Sequence, residues 1–324
     1  MSPRRVIGID TGGTKLLGGV VDEALAVRDR VHRLWRGGGR REVLDLMVDA
    51  VEEARAAAPD VAAVGFGIPA LVDTATGAAG FSVHLPLEGV RFRELMEERL
   101  ALPVYVDNDS NAAMLAEHRA GAARGALHAA MLTLGTGIGG GLVLGGRLYR
   151  GAHGGAAELG HVVVDIDGPP CQGGCPGRGC LEVMASGTAI GREGAAAAER
   201  EPDSALGKEL RAGREITGAL VTELAHDGDD TARGVLELIG ERLGVGITSI
   251  VNALNPEVVV IGGGAIAGGE LLLEPARRVV AERALAPSRD QVRIVPAHFG
   301  VEAGMIGAAA LAYDGLAELE GAAT

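Results

Sequence analysis

The chain has 324 residues, and its 52 glycines are about 16% of the total, where roughly 7% is usual. Its 47% hydrophobic and 23% charged residues are typical of a soluble globular protein and exclude a disordered one. The net charge of −13 excludes a nucleic-acid partner, because phosphate contacts need a basic face. Biased codon usage explains part of the glycine excess, since Lys15 and Lys208 are the only lysines, and turns that contact a ligand would explain the rest.

The first 120 residues combine apolar strands with helices. Strands are predicted at residues 6–10, 16–21, 61–68 and 102–106, and a helix at residues 43–57. The first two strands flank a glycine-rich Thr-Gly turn, which predicts a hairpin. The pattern becomes helical again from Asn111, with Ser110 or Asp109 as the N-cap.

The uncharged window 125–146 resembles a membrane helix in hydropathy alone. Eight glycines interrupt it, so we expect two buried strands around a turn and no membrane segment. The first ten residues contain no apolar region of a secretory signal, which predicts a cytoplasmic protein. Further along, apolar spacing predicts a long helix at residues 236–254, ended by Asn255-Pro256, and a terminal helix at residues 305–319.

A weak internal repeat relates the two halves of the chain. Residues 6–21 and 131–144 both have the pattern of an apolar strand, a Thr-Gly turn and a second strand, and residues 61–68 resemble 258–264. Such a duplication predicts two similar domains that face each other across a ligand cleft.

The two Thr-Gly turns are candidates for phosphate binding, because backbone N–H groups of glycine-rich turns form anion-binding nests. The first turn contains Thr11, Gly12, Gly13 and Thr14, and the second contains Gly135, Thr136 and Gly137. Neither fits the Walker A pattern, so a P-loop enzyme is excluded. Each turn alone is weak evidence, and their equivalent places in the repeat are what favour a nucleotide.

A dinucleotide-binding fold is the rival interpretation, since residues 135–140 and 262–267 fit its glycine spacing. After the first pattern a strand continues where a helix should begin. The second pattern precedes a helical stretch, but the strand that follows does not end in the acidic residue that a ribose requires. We therefore interpret Gly262, Gly263 and Gly264 as an adenosine-side turn.

A carboxylate just after the predicted strand 102–106 suits a general base. Asp109 stands where a strand gives way to a helix, so it would be held rigidly and could accept a proton from a hydroxyl. It could equally be a plain N-cap, and Asp107 competes for the role of base. Asn108 could donate and accept hydrogen bonds to a polyol.

The three cysteines lie within ten residues, a spacing that favours metal ligation over a disulfide. With His161, the residues Cys171, Cys175 and Cys180 form the run H-x9-C-x3-C-x4-C. One imidazole and three thiolates make the closed tetrahedral set of a structural zinc site. Two carboxylates would be fixed beside this run and could accept hydrogen bonds from sugar hydroxyls, namely Glu158 and Glu182.

Five motifs occur in a fixed order: Asp10-Thr11-Gly12-Gly13-Thr14-Lys15, Asn108-Asp109, Gly135-Thr136-Gly137-Ile138-Gly139, Glu158-Leu159-Gly160-His161, and the cysteine run with Glu182. Together they resemble the ROK family, and more narrowly its bacterial glucokinases. The resemblance covers nearly the whole chain, from Val6 to about Ala312.

The resemblance implies the actin-like ATPase (ribonuclease H-like) fold, with two similar α/β domains flanking a cleft and a zinc-pinned loop. We expect residues 1–120 with 305–324 to form the smaller domain and residues 121–304 the larger one. The resemblance also implies phosphorylation of the 6-hydroxyl of glucose by ATP with Mg²⁺, a structural Zn²⁺, and a homodimer or homotetramer.

Individual roles are implied in the same way. Asp109 would remove the proton from the sugar hydroxyl, which attacks the γ-phosphate in line, so that catalysis depends on positioning and charge stabilisation. The sugar positions are matched by Gly67, Asn108, Asp109, Glu158, His161 and Glu182, and the metal positions by His161, Cys171, Cys175 and Cys180. The nucleotide positions are matched by Asp10, Thr11, Gly12, Gly13, Thr14, Lys15, Gly135, Thr136, Gly137, Gly262, Gly263 and Gly264, with Lys15 near the phosphates and Asp10 near the water shell of Mg²⁺.

Three features depart from the family's usual pattern. Two extra residues lie between Cys171 and Cys175, so that this loop must bulge. His84-Leu85-Pro86 replaces the usual Asn-Leu-Pro, which bears on sugar selectivity. Ala157 replaces the commoner Gly before Glu158, with a small expected effect.

These residues are also compatible with other functions. Kinases for N-acetylmannosamine, N-acetylglucosamine or fructose need the same hydroxyl-binding carboxylates, and polyphosphate could replace ATP as the donor. Sugar-sensing regulators of the family carry an N-terminal winged helix, for which we expect no room before the strand that begins at Val6. The expected activity is therefore that of an ATP-dependent glucokinase.

Overall fold

The computed structural model describes residues 4–35, 37–82 and 84–322. Its elements in chain order are β1 (Arg5–Thr11), β2 (Lys15–Asp22), β3 (Val27–Leu34), α1 (Arg40–Ala57), β4 (Val64–Ile68), α2 (Phe92–Leu100), β5 (Val104–Asn108), α3 (Asp109–Ala120), β6 (Ala129–Leu134), β7 (Ile138–Leu144), β8 (Arg147–Leu148), α4 (Leu181–Ala185), α5 (Gly187–Arg200), α6 (Ala205–Arg211), α7 (Gly218–His226), α8 (Asp230–Leu254), β9 (Val258–Gly262), α9 (Glu270–Arg283), α10 (Ser288–Gln291), β10 (Arg293–Pro296) and α11 (Ala303–Ala322). Short 3₁₀ turns lie at Leu159–His161, Gly264–Gly268 and Gly300–Glu302. Among the described residues, no helix has the length and apolar character needed to cross a membrane.

Two five-stranded sheets repeat one strand order. The first runs β3-β2-β1-β4-β5 and the second β8-β7-β6-β9-β10. In the first sheet β1 pairs antiparallel with β2 and parallel with β4, which pairs parallel with β5. In the second sheet β9 pairs parallel with both β6 and β10. The repeat predicted from the sequence is thus present as a repeated topology.

The chain divides into two compact units. The first comprises the described residues of Met1–Gly125, Gly141–Ala157 and Val301–Thr324, and the second comprises Ala126–Gly140 and Glu158–Gly300. The predicted division at residue 120 placed residues 141–157 in the second domain, whereas they group with the first unit. The reason is local packing, because Gly141 lies directly against the side chain of Met114 and Arg150 binds Asp107.

The sheet of the first unit is covered on both faces by aliphatic side chains. Alternate residues of β1 point to opposite sides, so Ile7 packs with the buried face of α1 while Val6 packs with Ala309 of α11. A Cβ on Gly65 of β4 would overlap the carbonyl oxygen of Ala308, so glycine is what lets α11 approach the sheet this closely. Burial of each large side chain contributes roughly 2 kcal/mol.

The second unit is organised around α8. The helix begins at the N-cap Asp229, whose side chain accepts a hydrogen bond from the N–H of Ala232, and it ends at Asn255 in the left-handed conformation. Its apolar face is buried and packs against α9. The helix predicted at residues 236–254 is confirmed, with an earlier start. The terminal helix, α11, is longer than predicted at both ends.

Candidate active site and metal cluster

The end of β5 and the start of α3 form an acidic corner in the first unit. Asn108 is the N-cap of α3, since its side-chain oxygen accepts hydrogen bonds from the N–H groups of Ser110 (2.9 Å) and Asn111 (3.2 Å). The predicted N-cap, Ser110 or Asp109, is wrong because Asn108 keeps an extended backbone and already covers these donors. Asp109 is therefore the first helical residue, and its carboxylate accepts a hydrogen bond from Ser110 N at 2.7 Å.

Asp107 and Asp109 occupy different environments. Asp107 is 3% exposed, and its carboxylate accepts hydrogen bonds from Arg150 Nε (2.6 Å), Asn111 Nδ2 (3.0 Å) and Asn108 N (2.8 Å). These bonds occupy Asp107 as a structural group. At Asp109 the loss of water raises the pKa, and local hydrogen bonds offset this only in part. The geometry favours Asp109 over Asp107 as the group that can take a proton.

The first Thr-Gly turn joins β1 to β2. A hydrogen bond of 2.8 Å from Gly12 N to the carbonyl of Lys15 closes it. Thr14 and Lys15 are exposed and Gly12 and Gly13 half-buried, whereas Thr11 is fully buried and its hydroxyl has no hydrogen-bond partner among the described residues. The side chain of Thr11 thus faces the interior, and the later residues of the turn are the ones able to meet a ligand.

Asp10 directly precedes the first Thr-Gly turn and interacts electrostatically with Asp109 of the acidic corner. Burial and the charge of Asp109 raise the pKa of Asp10 to about 7, while Lys15 acts in the opposite direction. A Cβ on Gly67 would lie 3.4 Å from Asp109 Cα and 3.7 Å from Asp10 Oδ1, so Gly67 adjoins both residues. A Cβ on Gly304 would lie 2.5 Å from the Asp10 carboxylate. Sequence reasoning missed Gly304, because a glycine inside a helix carries no signal of the strand that it faces.

The second Thr-Gly turn joins β6 to β7 and holds a carboxylate in the second unit. Gly135 N donates to the carbonyl of Gly137 at 2.9 Å, and Glu182 Oε2 accepts a hydrogen bond from Ile138 N at 2.9 Å. A Cβ on Gly137 would overlap this carboxylate, whereas Gly135 faces open space. The two glycines of the turn therefore have different neighbours, a carboxylate for one and solvent for the other.

The carbonyl oxygen of Thr136 accepts two side-chain hydrogen bonds. Gln172 Nε2 donates at 3.0 Å and Thr188 Oγ1 at 2.8 Å. Sequence reasoning missed both donors, since one lies in the cysteine loop and the other at the start of α5, far along the chain from the turn. The conformation of the second Thr-Gly turn thus depends on residues outside its motif.

The three glycines at the end of β9 and directly after it adjoin the end of β6. Gly262 is buried, and Gly263, with φ of 82°, packs against the backbone of Leu134. Gly264 is exposed and faces open space. This turn therefore lies next to the second Thr-Gly turn, as a nucleotide site built from both would require.

Four candidate metal ligands converge in the second unit. Single donor atoms of His161, Cys171, Cys175 and Cys180 all lie within 4.8 Å of one another. Cys171 Sγ is 3.7 Å from His161 Nδ1, close to the spacing of about 3.6 Å that a Zn–S bond of about 2.3 Å and a Zn–N bond of about 2.1 Å require in a tetrahedron. Gly177 N donates to Cys175 Sγ at 3.4 Å, and a Cβ on Gly177 would lie 3.0 Å from Cys180 Sγ. The donor set and its spacing fit a tetrahedral metal ion.

The raised pKa of a thiol in the cluster also favours a bound cation. Burial and the neighbouring thiols raise the pKa of Cys171 to about 12, so the thiolate form needs a bound cation. The two extra residues of the loop form the predicted bulge, in which Gly173 and Gly174 have φ of 67° and 79°. This turn keeps Cys171 and Cys175 together and directs Gln172 toward the second Thr-Gly turn.

The short 3₁₀ turn before the cysteine loop presents Glu158 and His161. His161 Nε2 lies 3.8 Å from Glu158 Oε2, while Nδ1 faces Cys171. A metal-binding histidine usually binds the metal with one ring nitrogen and donates a hydrogen bond to a carboxylate with the other. Ala157 has φ of 68°, a conformation that costs a side-chain-bearing residue roughly 1–2 kcal/mol, so its replacement of Gly is more costly than the sequence suggested.

The chain is similar to proteins of known family. A family model described as the ROK family matches residues 6–314. The chain is 33% identical to a glucokinase of Halalkalibacterium halodurans over 313 residues, 95% of this chain and 94% of the relative. It matches the crystal structure of a ROK family glucokinase from Streptomyces griseus in complex with glucose and AMPPNP with a TM-score of 0.87 and 34% identity, covering 96% of this chain and 99% of that one.

A regulator of the same family is also similar. The crystal structure of a ROK family transcriptional regulator, a homolog of the E. coli MLC protein, matches with a TM-score of 0.86 and 26% identity. The match covers 96% of this chain and 78% of that one. The expected actin-like ATPase fold is confirmed by these neighbours.

Proposed function

Because the chain belongs to the ROK family, we propose that it is an ATP-dependent glucokinase, which transfers the γ-phosphoryl group of ATP to the 6-hydroxyl of glucose. The observation that carries the proposal is the contrast between a fully hydrogen-bonded Asp107 and an Asp109 with a raised pKa at the start of α3. The relative from Streptomyces griseus, solved with glucose and AMPPNP, supports this choice of ligands.

In this mechanism Asp109 is the general base. It accepts the proton of the 6-hydroxyl while the hydroxyl oxygen bonds to the γ-phosphorus, and the bond to the bridging oxygen breaks as ADP leaves with the electron pair. The raised pKa brings Asp109 nearer the range that suits a base at neutral pH. Gly67 adjoins Asp109 without a side chain, which leaves room for the sugar to approach.

The remaining polar residues would bind and orient the two substrates. We assign the other sugar hydroxyls to Asn108, Glu158, His161 and Glu182, which present amide, imidazole and carboxylate groups. The nucleotide phosphates would meet the two Thr-Gly turns, and the adenosine would meet Gly262, Gly263 and Gly264. Asp10 supplies a carboxylate beside the first turn, a donor suited to the hydration shell of Mg²⁺.

The four-ligand cluster would hold a structural Zn²⁺. A closed set of three thiolates and one imidazole fixes a loop and leaves no position for a reacting group. When bound, the ion would supply rigidity to the loop that carries His161 and precedes Glu182. Transfer of the proton and of the phosphoryl group is assigned to residues outside the cluster.

Coupled measurement of ADP release over a panel of sugars tests the proposal. With ATP and polyphosphate as donors, we expect the highest kcat/KM for ATP with glucose, among glucose, fructose, N-acetylglucosamine and N-acetylmannosamine. Asp109→Asn should lower kcat by about 10³-fold or more and leave glucose affinity within a few-fold. Preference for an N-acetylated sugar would correct the substrate, and sugar binding without any transfer would favour a regulator.

A further inference from the structure

His84 lies on a loop that is anchored on both sides. Ser82 Oγ donates to the carbonyl of Pro69 at 2.7 Å and accepts a hydrogen bond from Leu85 N at 3.2 Å. Leu85 is buried in the core of the first unit. The exposed His84 thus directly precedes the buried Leu85, whose N–H is bound by Ser82.

The side chain of His84 packs against the first Thr-Gly turn. A Cβ on Gly13 would lie 3.2 Å from His84 Cβ, 3.3 Å from Cγ and 3.5 Å from Nδ1. A charge on His84 also lowers the pKa of Asp109, which burial raises. One imidazole therefore contacts the turn assigned to the phosphates and acts electrostatically on the residue assigned as the base.

The charges around this corner form three sets, one of which is Asp107 on β5 with Arg150. Asp10 on β1 is offset by Lys15 on β2, and Asp109 on α3 is offset by His84. Arg40 of α1 is engaged elsewhere, since it donates to two carbonyl groups of the His84 loop at 3.0 Å each. Each carboxylate thus has its own cation, and His84 is the one whose charge acts on the base.

We propose that His84 is a further catalytic residue, whose imidazolium contacts the transferred phosphoryl group beside Asp109. This inference rests on the kinase function proposed above. As the bond from the sugar oxygen to phosphorus forms and the bond to ADP breaks, negative charge spreads over the phosphoryl oxygens, and an N–H donor held against Gly13 would stabilise it. The ring N–H of His84 is a hydrogen-bond donor only and is not transferred, while the proton of the sugar hydroxyl passes to Asp109.

Three variants separate charge from structure. His84→Gln removes the cation, His84→Arg replaces it by a permanent one, and His32→Gln changes an exposed histidine of β3 as a matched control. We expect His84→Gln to lower kcat by about 10- to 100-fold with KM for glucose within threefold. His84→Arg should recover at least part of the loss, and the control should match the wild type.

Two further readouts depend on charge at this position. In calorimetry His84→Gln should weaken binding of AMPPNP by about tenfold and leave ADP within twofold, because ADP lacks the γ-phosphate. In pH profiles of kcat/KM the acidic limb should move to higher pH in His84→Gln, since Asp109 loses the cation that favours its carboxylate form.

The outcomes separate the two proposals. A His84→Gln variant that folds normally in urea titrations, with wild-type kcat and an unchanged AMPPNP-to-ADP affinity ratio, would overturn the role of His84 in an active kinase. If the wild type transfers phosphate to no sugar, the kinase function fails. The ratio of AMPPNP to ADP affinity then still decides whether His84 contacts the terminal phosphate.

Discussion

Removal of the Arg150 guanidinium would leave the buried carboxylate of Asp107 without a cation. The side chain of Asp107 is 5% exposed and that of Arg150 29%, so the pair is only partly screened by water. Breaking a fully buried ion pair costs about 3–5 kcal/mol. The hydrogen bonds from Asn111 and Asn108 to Asp107 would remain, and we therefore expect Arg150→Met to lower the free energy of unfolding by about 2–3 kcal/mol.

Urea unfolding of four proteins measures this effect. Arg147→Met, on the exposed β8 position nearby, is the matched control and should stay within about 0.5 kcal/mol of the wild type. In the double variant Asp107→Asn with Arg150→Met no charge is left unpaired, so it should recover about half of the loss. An Arg150→Met protein as stable as its control would refute the reasoning that this ion pair holds the acidic corner.

Three further predictions address the turns, the acidic pair and the metal cluster. Gly137→Ala should raise KM for glucose at least tenfold, because the new methyl group would displace Glu182. In Gly135→Ala the methyl group points into open space, so this variant should raise KM for ATP instead. Equal effects of both variants on both substrates would contradict this assignment. The folded protein holds a proton on Asp10 from about pH 4 to pH 7, where the unfolded chain does not, so this residue lowers stability as the pH rises through that window. Asp10→Asn should therefore be more stable at pH 7.5 by at most about 4 kcal/mol and equal to the wild type below pH 4 in urea titrations; a constant difference at all pH values would refute it. Metal analysis should find about one zinc per chain, and Cys175→Ala should lose it together with several kcal/mol of stability; a metal-free protein of full stability would exclude a structural zinc site.

Local patterns predicted much of this fold because their causes are local. The hairpin of β1 and β2, the long helix α8 and the cysteine cluster follow from apolar spacing, turn residues and ligand type within one segment. The repeat between residues 6–21 and 131–144 also predicted the topology, because segments with the same pattern take the same places in the two sheets.

Sequence reasoning was wrong, or left two residues competing, where several residues suit one role or where the partner is remote. Asn108, Asp109 and Ser110 can all cap a helix, and only the extended backbone of Asn108 decides among them. The choice between Asp107 and Asp109 depends on Arg150, which reaches Asp107 from another part of the chain and leaves no trace in the local sequence.

The hydrogen bond from Gln172 to the carbonyl of Thr136 connects the bulge in the cysteine loop to the conformational entropy of the second Thr-Gly turn. A flexible turn must lose conformational entropy when it wraps a ligand, and a turn already tied to a rigid loop has lost part of it beforehand. We therefore expect chelation of the metal to weaken nucleotide binding in calorimetry with a more unfavourable entropy, although no nucleotide atom would touch the metal. An ordered cysteine loop would thus reduce the conformational entropy that the second Thr-Gly turn loses when it binds a nucleotide, and the two inserted residues are part of that loop.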